Sequence, residues 1–109
     1  SDLGFMAAAA SYALDHHVLR LAEDHQLMQH LAQGLSGIPG LQVEAPQTNI
    51  LFVDLVGEAK ARGVELQAHL KQAGIDMTGL YRMRFVTHLD VDRAGIDRTI
   101  AAVRQFFNA

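Results

Sequence analysis

The chain has 109 residues and a formal charge of -3, with half of its residues apolar and 19% charged; chains of this size and balance fold as globular units that bury roughly 65% of their unfolded surface. Its nine Lys and Arg residues are scattered, which leaves no electrostatic footprint for nucleic acid. Cysteine is absent, which excludes a disulfide framework, a thiol nucleophile and a thiolate zinc site.

The opening Ser1-Asp2-Leu3 lacks the basic region of a signal peptide, and the uncharged stretch from Leu3 to Leu14 is too short to cross a bilayer. A cytoplasmic chain with no membrane partner is expected, and a start without an initiator Met reads as that of a fragment or processed chain. Leu14, Val18, Leu21, His25, Met28, Ala32 and Leu35 recur at steps of four and three. This spacing predicts a long helix within residues 1–36, stopped by Gly34 and Ser36-Gly37. A 30-residue helix would span ~45 Å, more than a domain of this size needs, and Ala7 to Ala10 with Ser11 would let another domain or a partner subunit approach closely.

Pro39-Gly40 predicts a turn, and Leu41 to Glu44 alternates as a half-buried strand that Pro46 ends. Asn49 to Val56 is a second strand, whose continuous Ile50-Leu51-Phe52-Val53 predicts cover on both faces. A second helix begins near Glu58, turns Val64, Leu66, Leu70 and Ala73 inward, and closes on Gly74. Leu80 to Thr87 is the third strand, with Met83 and Phe85 on one face and Arg82 and Arg84 on the other. Asp92 caps a last helix whose core face is Ile96, Ile100, Val103 and Phe107. The order predicts an α+β two-layer sandwich: a small, mainly antiparallel three-stranded sheet with helices on one face, forming one domain over residues 1–109.

The six histidines do not have metal-site spacing, because His16 and His17 are adjacent, His25 and His30 are five apart, and His69 stands alone on another helix. No metal is expected, and His25, on the apolar seam, reads as a structural histidine. No Gly-x-Ser-x-Gly elbow is present, and Gly34, Gly37 and Gly40 follow a helix where a phosphate cradle would precede one. Arg84 is the residue that asks for a role, because it sits in a segment otherwise suited to burial and its planar fork matches a carboxylate. Read from the residues alone, Arg84 either forms an internal ion pair or is exposed to solvent at the sheet edge, with a ligand carboxylate as the alternative. Arg82, on the same strand face, could join Arg84 in concentrating positive charge at a cleft.

The segment Arg84-Phe85-Val86-Thr87-His88-Leu89-Asp90-Val91 resembles the C-terminal signature of the low-specificity L-threonine aldolase family. Gly4-Phe5-Met6-Ala7-Ala8-Ala9, Leu21-Ala22-Glu23-Asp24-His25 and Gln47-Thr48-Asn49-Ile50 are similar to the same family in the same order. The resemblance implies an aspartate-aminotransferase-type fold of which this chain is the C-terminal small domain, in a homotetrameric enzyme that uses pyridoxal phosphate (PLP) to cleave L-threonine or L-allo-threonine to glycine and acetaldehyde. It further implies that Arg84 binds the substrate α-carboxylate.

The family's PLP lysine has no counterpart. Lys60 and Lys71 lie on or near the second helix, outside any similar motif, and a Schiff-base lysine must be desolvated. The expectation is therefore that PLP belongs to the parent enzyme, that no catalytic or cofactor-binding residue lies in this chain, and that the chain alone is inactive. His88 belongs to the signature and reads as a structural hydrogen-bond partner at the strand end. The alternative is a catalytically inactive binding module that self-associates through its long helix.

Overall fold

The computed structural model describes residues 20–86 and 91–109. The sequence expectations on Leu14, Val18, Thr87 and His88, and on the first nineteen residues of the long helix, fall outside them.

Helix α1 occupies residues 20–35, followed by strands β1 (Leu41–Val43) and β2 (Ile50–Leu55), a 3₁₀ helix over Gly57–Arg62, helix α2 (Gly63–Gln72), strand β3 (Arg82–Val86) and helix α3 (Arg93–Phe107). The three strands form one antiparallel sheet in the order β1-β2-β3, as the order of elements predicts. Period-two alternation sends Leu51, Val53, Leu55, Met83 and Phe85 to one face, where they join Met28, Leu31 and Leu35 of α1, Leu66 and Leu70 of α2, and Ile96 and Val103 of α3 in a single core. Fully burying a side chain of this kind stabilises the fold by roughly 1.5–3 kcal/mol.

The helix ends carry identifiable caps. Asp92 accepts a hydrogen bond from the Gly95 amide at 2.8 Å, satisfying one of the orphan donors of the first turn of α3. At the end of α2 the Ile75 amide donates to the Leu70 carbonyl at 2.8 Å and the Gly74 amide to that of Lys71 at 3.0 Å. With Gly74 at φ 80°, this is the Schellman arrangement its glycine predicts.

Four sequence expectations are corrected. Gly34 lies inside α1, where its lack of a side chain admits Ile100 of α3: a Cβ there would stand 2.6 Å from Ile100 Cγ1. The buried face of α1 includes Leu31, while Leu21, a heptad before Met28 on the same side, is exposed. Val64 is 66% exposed and Ala73 is exposed too: two residues rotate an α-helix by ~200°, which sets Val64 opposite the buried Leu66 and Leu70, and Ala73 is the C-cap beyond the last turn. Finally, β2 is buried on one face only, with Ile50, Phe52 and Asp54 half-buried on the other, since all the described helices pack on the inner side.

Candidate functional site

The outer face of the sheet carries the charged residues. From β1 and its extension come Gln42 and Glu44, from β2 Phe52 and Asp54, and from β3 Arg82 and Arg84. The register sets two rows across the strands. Asp54 lies opposite both Gln42 and Arg82, and Phe52, whose carbonyl accepts from the Glu44 amide at 3.1 Å, lies opposite Arg84.

Arg84 keeps its expected strand and face, but it does not do what a buried arginine must. It is exposed on β3, and its side chain meets no hydrogen-bond or ion-pair partner among the described residues. Its backbone is well anchored, with the amide donating to the Thr78 carbonyl at 2.9 Å and its carbonyl accepting from the Thr78 amide at 3.3 Å. Both polar groups of Arg84 therefore point away from β2, which makes its pairing with Phe52 the non-hydrogen-bonded kind, where cross-strand side chains stand closest. Gly79, at φ 86°, turns the chain between Thr78 and β3, and a Cβ there would strike the Arg82 carbonyl oxygen.

Arg82, two residues earlier on the same face, is fully engaged. Its Nη1 and Nη2 donate to the two Glu44 carboxylate oxygens at 2.9 and 2.8 Å, and Nη1 also donates to both oxygens of Asp54 at 3.1 Å. Its guanidinium lies over the Phe52 ring, 4.4 Å from the centroid. The hydrogen bond to Glu44 and the charge of Asp54 raise its pKa against partial desolvation. The expectation that Arg82 and Arg84 concentrate positive charge together is thus corrected: two carboxylates neutralise Arg82, and Arg84 alone is left uncompensated.

Glu44, Asp54 and Phe52 are not singled out by the sequence. They alternate correctly within their strands, but pairing them with Arg82 requires the register. A tight turn pairs Gln47 with Ile50 and the ladder pairs Val43 with Val53, yet three residues lie between Val43 and Gln47 and two between Ile50 and Val53. The extra residue near Ala45-Pro46 would mislead any register counted from the turn.

The described histidines have structural settings. His30 Nε2 lies 2.6 Å from Asp97 Oδ1, tying α1 to α3. His69 donates through Nε2 to the Ala102 carbonyl at 3.0 Å and lies against Phe106. His25 is half-buried on α1. Among the described residues no three His, Asp or Glu gather as metal ligands, and no helix is long and apolar enough to cross a membrane.

Both described lysines are exposed: Lys71 on α2, and Lys60 beside Tyr81, its Nζ 5.9 Å from the ring centroid. Neither amine has the desolvated setting that a Schiff-base lysine requires.

The same fold occurs in solved PLP enzymes. A NifS-like protein from Rickettsia africae superposes with a TM-score of 0.65 at 12% identity, over 82% of this chain and 29% of that one. The ornithine aminotransferase from Toxoplasma gondii, whose active site is partly occupied by PLP, gives 0.60 at 18% identity, over 85% and 23%. The class these neighbours define is a fold shared with aminotransferases. In sequence, the low specificity L-threonine aldolase of Escherichia coli K12 is 38% identical over 103 residues, covering 94% of this chain and 30% of the relative. The probable low-specificity L-threonine aldolase 2 of Arabidopsis thaliana is 29% identical over 112 residues, covering 99% and 32%. The sequence pattern of beta-eliminating lyases matches residues 1–58, and the chain belongs to that family. It spans about a third of the length of the curated relatives it matches.

Proposed function

We propose that this chain is the C-terminal small domain of a PLP-dependent threonine-aldolase-type lyase, which cleaves L-threonine or L-allo-threonine to glycine and acetaldehyde, and that Arg84 receives the substrate α-carboxylate. The observation that carries the reading is the contrast on one strand face: Arg82 is saturated by two carboxylates, whereas Arg84 projects from an anchored strand with its fork unpaired among the described residues. A guanidinium in that state presents two parallel donors at the spacing of a carboxylate. PLP would be held by the remaining two-thirds of the longer protein and would supply the electron sink for carbon-carbon cleavage. This chain supplies orientation and charge.

The test is Arg84→Ala in the full-length protein. Loss of a charge-assisted, bidentate contact worth ~2–3 kcal/mol should raise the KM for L-threonine by about 10²-fold, while PLP absorbance of the resting protein stays at the wild-type level. Arg84→Lys, which keeps the charge without the fork, should fall between the two. An unchanged KM in Arg84→Ala removes the carboxylate role.

A further inference from the structure

The outer sheet face poses a charge-pairing puzzle. Arg82 and Arg84 share that face with Glu44 and Asp54, yet one arginine takes both acids. Asp54 is directly opposite Arg82 and diagonal to Arg84, and diagonal cross-strand neighbours sit ~7–8 Å apart, within the reach of a long side chain. Glu44 belongs to the same row as Arg84, with Phe52 between them. Both carboxylates are thus near enough to compete for Arg84. Arg82 prevents it geometrically: its fork pairs with Glu44 in a two-pronged contact while Nη1 bridges to Asp54, and its guanidinium lies across the Phe52 ring.

We propose that Arg82 is a positioning residue for the carboxylate site: by occupying Glu44 and Asp54 it keeps them from drawing Arg84 into an internal ion pair, so that Arg84 stays available to an incoming carboxylate. This rests on the reading of Arg84 given above. The competing explanation is that the Arg82 cluster simply stitches three strands together. Its members are partly exposed, with side-chain accessibilities of 48% for Arg82, 43% for Glu44 and 30% for Asp54, and exposed pairs of this kind contribute little to stability. A stitching role would appear in the melting temperature and leave ligand affinity alone.

The experiment uses the full-length protein and two readouts: steady-state kinetics with L-threonine, and the equilibrium dissociation constant of glycine measured by calorimetry. Arg82→Gln should raise both KM and the glycine dissociation constant about tenfold while kcat stays within about twofold, as expected when binding alone is lost. Adding Glu44→Gln and Asp54→Asn to Arg82→Gln removes the competitors, and the triple variant should return both values to within about threefold of wild type, the non-additivity that marks a shared interaction. Arg82→Met, whose unbranched stem keeps the contact with Phe52, serves if the Gln variant does not fold, with the same expectations. Unchanged glycine affinity in the Arg82 variants overturns the proposal, as does a triple variant no better than Arg82→Gln. Failure of the Arg84 reading is separately visible, because Arg84→Ala would then bind glycine as wild type does.

Discussion

Arg82 and Arg84 show how far two identical side chains on one strand face can diverge. What separates them is the acids on other strands: Glu44 and Asp54 converge on Arg82 and leave the fork two residues along unpaired. The strand, its facing and the arginine worth testing were legible from alternation and from the motif. The neutralisation of Arg82 was not, because it depends on a register that the extra residue near Ala45-Pro46 disguises. Asp92 was also legible as the cap of α3, and its bond to Gly95 carries a stability prediction. Asp92→Ala should cost about 1 kcal/mol and lower the melting temperature of the 109-residue chain by about 4–8 °C. An unchanged melting temperature would mean that the cap adds nothing.

Among the elements, helix positions were easier to read than helix phases. Met28, Leu35, Leu66, Leu70, Ile96 and Val103 are all buried as their spacing requires, yet Leu21 and Val64 are exposed. Two residues rotate an α-helix by ~200°, which sets Val64 opposite Leu66, while Leu21 shares the side of Met28 without reaching the core; α1 and α3 also cross closely. Gly34 belongs to the crossing: with no side chain it lets Ile100 of α3 lie directly on α1, and Arg104 Nε donates to its carbonyl at 3.1 Å. Gly34→Ala should therefore destabilise the chain by about 1–3 kcal/mol through overpacking, outweighing the ~1 kcal/mol that alanine gains in a helix. Denaturant titration of Gly34→Ala, Ile100→Ala and the double variant should show strong non-additivity, with the double variant more stable than the sum of the singles. Simple additivity would place the strain elsewhere.

At the scale of the molecule, the sheet has one finished face and one open face. The inner face is closed by three helices around a single core. The outer one carries half-buried Ile50 and Phe52 and Arg84, which is unpaired among the described residues. On the proposed reading, PLP would be brought to this face by the rest of the longer chain. The 109-residue chain supplied with PLP is accordingly expected to give no borohydride-reducible absorbance band and no threonine cleavage; a band would assign Lys60 or Lys71 a role their exposure argues against. The most direct test of the central claim is a crystal structure of the full-length protein with glycine bound. The account predicts the glycine carboxylate at ~2.7–3.2 Å from the guanidinium nitrogens of Arg84, with Arg82 still held by Glu44 and Asp54. A carboxylate bound to another cation, with Arg84 turned away from it, would contradict the account.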